Sequence, residues 1–305
     1  MMPADTFTTD SAKDSYEARL SRFPAQRIAA ARHTLGYREA GAASRGVALP
    51  VVLLHGIGSG AASWVQQLEA LGGERHTLAW DAPGYGESTR VAPASPVAAD
   101  YAAALTDWLD ALGVERCVLV GHSLGAIMAG AFAAAHPSRV TGLLLLSPAA
   151  GYGAASQAER DSKRAARLAL LDELGPEGLA EKRSANMLSA HAGADARAWV
   201  RWNMARIVPA GYAQATHLLA NADLAADLAR YDGRVAVAVG ADDTITPPAA
   251  CERVARAARA SLAVVPRAGH AGYVEAPDAY TALIDAFCRA SAANASNNGN
   301  NGATA

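Results

Sequence analysis

Cysteine is scarce in this chain: Cys117, Cys251 and Cys288 are the only three in 305 residues. They lie far apart, with no CxxC and no Cys/His ligand spacing, which argues against a disulfide framework and a zinc site and leaves reduced, mostly buried thiols as the expectation. Charge is thin as well. Charged residues make up 18% of the chain and the formal net charge is -2. With no long run of Lys or Arg, there is no electrostatic reason to expect a nucleic acid or an anionic membrane surface as partner. No segment reaches the ~20 apolar residues of a membrane helix. The opening stretch, MMPADTFTTDSAKDSYEARL, lacks the basic start and apolar run of a secretory signal. A cytoplasmic protein with a small-molecule partner is therefore expected, and a homo-oligomer is compatible with all of this.

Hydrophobic residues, at 51%, are plentiful enough for a sizeable core. The length suits one catalytic core that carries an insertion. Residues 1–25 read as a loose N-terminal arm, and the Asn/Gly/Ala tract 291–305 as a disordered tail. Between them, short apolar runs alternate with helix-like stretches, the pattern of an α/β fold around a mostly parallel sheet flanked by helices.

The expected strands are Val51–Leu54, Thr77–Trp80, Cys117–Val120, Gly142–Leu146, Val235–Val239 and Leu262–Val265, with a hairpin within Arg27–Glu39. Helical periodicity fits Ser63–Leu71, Val97–Leu112, Leu124–Ala135, Pro248–Ala258 and Pro277–Ala290. The alternation stops between Gly151 and Arg230, where Gln157–Glu173, Glu177–Ser189, Ala194–Arg206 and Tyr212–Asp227 all read as helices. This divides the chain into a core of 26–150 and 231–290 and a helical cap of 151–230. Trp199 and Trp202 in the cap, together with Gly56 and His122, are candidates for lining a substrate pocket, although aromatic residues at helical spacing more often simply pack.

The strongest chemical signal is Gly121-His122-Ser123-Leu124-Gly125, placed after an apolar run and before a small-residue helix. A serine hydroxyl is a poor nucleophile until a base takes its proton. A tight strand-to-helix turn flanked by glycines lifts that hydroxyl clear of the sheet and aims it at such a base. Acyl transfer also needs two preorganised N–H donors for the oxyanion. The backbone amides of Ile57, in the loop His55-Gly56-Ile57-Gly58-Ser59-Gly60, and of Leu124, directly after the serine, are placed to serve. His55 then reads as a residue that shapes the loop.

Gly240-Ala241-Asp242-Asp243-Thr244-Ile245-Thr246-Pro247 follows the strand Val235–Val239. A carboxylate there stands at the C-terminal edge of the sheet, where open α/β folds place their ligands. Asp242 and Asp243 compete for the role, and the turn residues that follow favour Asp243. Gly269-His270 follows the last strand and supplies the base. His270 alone of the eight histidines stands on a post-strand loop in the right place. Ser123, Asp243 and His270 thus form the expected catalytic set, with no metal and no organic cofactor.

These motifs, with Asp81-Ala82-Pro83-Gly84-Tyr85-Gly86-Glu87-Ser88, resemble the α/β-hydrolase superfamily from about Arg27 to Ala290, and within it the bacterial cap-bearing branch of enol-lactone hydrolases, small-ester esterases and C–C hydrolases of aromatic-ring degradation. The resemblance implies the α/β-hydrolase fold with a helical cap that sets substrate choice, and a structural role for 81–88. The C–C hydrolases usually carry Asn-Ser-Met at the elbow where this chain has His122-Ser123-Leu124, which speaks against that activity. The serine excludes the haloalkane dehalogenases, which place Asp there. The expected function is serine-dependent hydrolysis of a small carboxylic ester or lactone. The alternatives are a C–C hydrolase of an aromatic meta-cleavage product and a non-hydrolytic lyase or ligand-binding protein.

Overall fold

A computed structural model describes residues 16–300. Eight strands form one sheet: β1 (Gln26–Ala29), β2 (Thr34–Ala40), β3 (Val51–Leu54), β4 (Thr77–Trp80), β5 (Cys117–His122), β6 (Val140–Leu146), β7 (Val235–Gly240) and β8 (Leu262–Val265). Their order across the sheet is β1-β2-β4-β3-β5-β6-β7-β8. The hairpin β1–β2 and the β2–β4 pair are antiparallel, and the strands from β4 through β8 pair in parallel. Parallel strands are covered by helices on both faces and so read as continuous apolar runs. Every residue of β3, β4 and β5 is buried, which is why those strands are visible in the sequence with nearly correct bounds.

The helices around the sheet are α1 (Val65–Leu71), α2 (Ala98–Ala111), α3 (Leu124–Ala135), α8 (Pro248–Ala257), the short α9 (Gly272–Glu275) and α10 (Pro277–Asn300). Between β6 and β7 lie α4 (Gln157–Arg183), α5 (Ala194–Met204), α6 (Pro209–Asn221) and α7 (Leu224–Leu228). No strand occurs in that stretch. The first two expected cap helices run on as α4, interrupted at Gly175, whose φ of 64° breaks the helical path just before Pro176. Pro at the first turn of α6 starts that helix three residues earlier than expected.

Both chain ends differ from expectation where they are described. Residues 16–20 form a helical turn, and the Tyr16 ring stacks on Trp199 with centroids 4.4 Å apart. Trp202 Nε1 donates to Glu17 Oε1 at 3.0 Å. An aromatic anchor and a hydrogen bond therefore hold this part of the expected loose arm against α5, while residues 1–15 lie outside the described residues. The expected tail from Ser291 is helical as far as Asn300. Ser291 is buried and its hydroxyl donates to the Phe287 carbonyl at 2.8 Å. Residues 301–305 lie outside the described residues.

All three cysteines are free and buried. Burial pushes the Cys117 and Cys251 thiols up to about 12 and that of Cys288 to about 11. Among the described residues no helix is long and apolar enough to cross a membrane.

Candidate active site

Ser123 sits between β5 and α3 with φ 52° and ψ -114°, a conformation that a non-glycine residue adopts only when its surroundings impose it. Two glycines make the turn sterically feasible. A Cβ on Gly121 would lie 2.5 Å from the Gly125 carbonyl oxygen, and one on Gly125 would lie 2.3 Å from that of Leu54. The turn is locked by its backbone: Ser123 N donates to the Leu146 carbonyl at 3.0 Å, and the Ser123 carbonyl accepts from Ala126 at 3.0 Å and Ala149 at 3.2 Å.

Asp243 follows β7 and is 3% exposed. Its Oδ1 accepts from the amides of Ile245 at 2.8 Å and Thr246 at 2.9 Å. Its Oδ2 accepts from His270 Nδ1 at 2.9 Å and from the Thr246 hydroxyl at 2.9 Å. Burial alone would raise the carboxyl pKa. The hydrogen bond and charge of His270, helped by the two amides, outweigh it and bring the value down to about 2. The carboxylate is thus held ionised against His270. Asp242, the rival acid, points elsewhere: its side chain is 44% exposed and lies 3.8 Å from His191 Nε2.

Thr246 lies in the same motif, three residues after Asp243. Its hydroxyl lies 3.0 Å from the Ser147 carbonyl and 3.1 Å from His270 Nδ1 as well as on Asp243, so it braces the carboxylate and the imidazole together.

His270 follows β8 and is 2% exposed. Its loop is tied to the cap side of the molecule. Glu275 accepts from the amide and hydroxyl of Ser189, both at 3.0 Å, and from the amide of Gly269, and Ala271 N donates to the Met187 carbonyl at 2.7 Å. The His270 carbonyl accepts from His122 Nε2 at 2.9 Å. Burial, followed by repulsion from His270, lowers the His122 pKa to about 3, so this ring is neutral and its Nδ1 carries no proton. That Nδ1 is buried without a partner.

Ser123, His270, Ile57 and Leu124 all line one cavity of about 510 Å³, so four residues from three separate loops converge on a single space. Met187, Met204, Tyr212 and Leu219 enclose it from the cap helices and the turn before α5. The loop of Ile57 is braced from below. Tyr85 Oη donates to the Ile57 carbonyl at 2.6 Å, and Asp81 Oδ1 accepts from Ala61 N at 2.8 Å. His55 Nδ1 donates to the Gly56 carbonyl at 2.8 Å, and its Nε2 accepts from Ala82 N at 3.0 Å. Both ring nitrogens are thereby used in shaping the loop, and burial lowers the pKa of His55.

The other expected pocket residues are placed differently. Gly56 and His122 border instead a small cavity of about 20 Å³, which shares Gly58 and Met187 with the large one. Trp199 and Trp202 line neither this space nor the large cavity: they stack on each other with centroids 4.5 Å apart, and Trp199 is 1% exposed. Their apolar faces are satisfied by packing against each other and Tyr16. Sequence reasoning missed Arg167, Arg183 and Tyr152, which line the large cavity.

A family model for the alpha/beta hydrolase fold matches residues 50–277, and the chain belongs to that family. Over 259 residues it is 31% identical to a putative carbamate hydrolase RutD of Variovorax paradoxus (strain S110), covering 79% of this chain and 92% of that protein. It is 36% identical over 102 residues to 1-acylglycerol-3-phosphate O-acyltransferase ABHD5 of Rattus norvegicus, a match of 32% of this chain that spans only 29% of that relative's length. Among solved structures, a thermophilic esterase from Thermogutta terrifontis, malate bound, superposes with a TM-score of 0.77 at 26% identity, covering 88% of this chain and 99% of the esterase.

Proposed function

We propose that the protein hydrolyses a small carboxylic ester or lactone through an acyl-enzyme on Ser123. The observation that carries this reading is the buried pair His270 Nδ1–Asp243 Oδ2 at 2.9 Å, on a residue that opens onto the same cavity as a serine held at φ 52°. The esterase-like fold and the hydrolase named among the relatives support it.

In this mechanism Asp243 fixes the tautomer, so that His270 carries its proton on Nδ1 and offers Nε2 as base. The Ser123 oxygen attacks the carbonyl carbon as its proton passes to Nε2. The amides of Ile57 and Leu124 hold the oxyanion of the tetrahedral intermediate. Collapse of that intermediate breaks the C–O bond, and the leaving oxygen takes the proton from His270. Water then repeats the sequence on the acyl-enzyme, giving up its proton to Nε2, and the carboxylic acid departs as Ser123 is reprotonated. No step needs a metal or an organic cofactor.

A fluorophosphonate probe and a short p-nitrophenyl ester test this. Ser123→Ala protein is expected to lose labelling and to lose turnover by about three orders of magnitude or more. Turnover at the parent rate in that variant would remove Ser123 from the mechanism.

A further inference from the structure

Beside the large cavity lies a second, smaller one of about 150 Å³. The two share Tyr152, Arg167, Arg183 and Leu219 as wall residues, so the smaller space lies directly beside the larger, as a side chamber bounded by these side chains. Its character is different. Lys163, Arg164, Arg167 and Arg183 all border it, whereas the walls of the large cavity near Ser123 are mostly apolar. Among the described residues, Arg164 alone of these four cations is neutralised, by Asp161 at 2.7 Å. Among the described residues, Arg167 and Arg183 form no ion pair; Arg167 Nη1 donates only to Tyr212 Oη, at 3.3 Å. Lys163 Nζ stands 5.8 Å over the ring of Tyr152.

A second observation points the same way. Thr216 also borders the chamber. It is 2% exposed, and its hydroxyl is buried without a hydrogen-bond partner. A buried hydroxyl left unpaired costs stability that native proteins rarely leave uncompensated. Half-buried guanidinium groups without a counter-charge are costly in the same way. Three unpaired cations and one orphan donor around a chamber of this size form a complete set of partners for one compact oxyanion.

We propose that the side chamber is an anion subsite, and that the preferred substrates of the Ser123 site are esters or lactones carrying a second, ionised group, a carboxylate or a phosphate, away from the scissile carbonyl. This rests on the reading of Ser123 as nucleophile and sharpens it to a substrate class. Arg167 and Arg183 stand at the junction of the two spaces and grip the anion, Lys163 adds charge, and Thr216 donates its hydroxyl. The scissile end then extends into the apolar space toward Ser123. The choice between charged and neutral substrates is thereby made on α4 and α6 of the cap.

The experiment compares matched pairs of esters: mono-p-nitrophenyl adipate, pimelate and suberate against p-nitrophenyl esters of neutral acids of equal length. For at least one chain length kcat/KM of the charged ester is expected to exceed that of its neutral partner by roughly tenfold or more, the scale of a charge-assisted hydrogen bond. Arg183→Gln, and independently the surface change Lys163→Gln, are expected to bring that ratio toward one, and Thr216→Val to lower it. Adipate and inorganic phosphate as competitive inhibitors of neutral-ester hydrolysis identify the group: stronger inhibition by adipate assigns a carboxylate, by phosphate a phosphate.

A ratio at or below one at every length, or a ratio that survives both charge removals, overturns the subsite while leaving Ser123-dependent hydrolysis standing. If no ester of either kind is cleaved, the hydrolytic reading falls instead. The chamber is then judged by titrating adipate and phosphate against intrinsic tryptophan fluorescence. Saturable binding weakened by Arg183→Gln upholds it, and no binding overturns it.

Discussion

Gly211 on the cap helix α6 lies so close to Gly84 that a Cβ on Gly211 would sit 1.9 Å from the Gly84 carbonyl oxygen. Gly84 belongs to the loop after β4, whose Tyr85 supports the Ile57 loop through a 2.6 Å hydrogen bond. The cap is therefore seated on the same segment that positions one wall of the site, and any side chain at Gly211 would lift it.

Gly211→Ala is accordingly expected to destabilise the fold. Overpacking against backbone, which has no rotamer through which to yield, costs about 1–3 kcal/mol. A drop in Tm of several degrees, measured by circular dichroism, follows for a chain of this size. An unchanged Tm would mean that the cap shifts to accept the methyl group freely.

Asp243→Asn is expected to reduce kcat on a p-nitrophenyl ester by about 10⁴, the scale seen when a triad carboxylate becomes an amide and the imidazole tautomer is lost. Asp242→Asn, at a half-exposed side chain 3.8 Å from His191, is expected to leave kcat within a factor of two. The opposite ranking would transfer the orienting role to Asp242.

The Thr246 hydroxyl touches both Asp243 and His270 and acts as a positioning residue. Thr246→Val is expected to lower kcat roughly tenfold, in keeping with one lost hydrogen bond to a charged group, with KM little changed. Thr246→Ser, which keeps the hydroxyl, is expected to restore it. Equal losses in both variants would assign Thr246 to packing alone.

Acid is expected to destabilise the protein in two stages. His122 has its folded pKa lowered to about 3, well below the ~6.5 of an unfolded histidine. Between those values the unfolded chain holds a proton that the folded chain does not, so stability falls as pH drops below about 6.5. Asp243, lowered to about 2, is likewise depressed below the ~3.9 of an unfolded aspartate, and it adds a further loss as pH falls from about 4 toward 2. Melting curves from pH 7.5 to 4 are expected to show Tm declining from about 6.5. The decline is expected to be shallower in His122→Gln, whose amide retains a donor for the His270 carbonyl. An identical slope in the variant would remove His122 as the source.

The sheet was legible because burial on both faces writes the central parallel strands as unbroken apolar runs, and Val51–Leu54 and Thr77–Trp80 match residue for residue; the edge strand Leu262–Val265 also matches, although only Val265 of it is buried. The placement of Ser123, Asp243 and His270 at the ends of strands was legible because glycine marks the turn there. The cap was harder. Helical periodicity shows that Trp199 and Trp202 face something apolar without saying what, and the partner proved to be Tyr16, distant in sequence. Arg167 and Arg183 escaped notice for a related reason. An arginine on a helix reads as a solvated charge until tertiary packing reveals a chamber behind it.

The buried cysteines have a practical corollary. With thiol pKa values pushed to between about 11 and about 12, virtually no thiolate exists near neutrality, and the thiolate is the form that electrophiles capture. A covalent probe retained by the native protein therefore reports on groups other than these three thiols. Active-site titration can be run without a thiol block, because the three thiols offer it no competing signal.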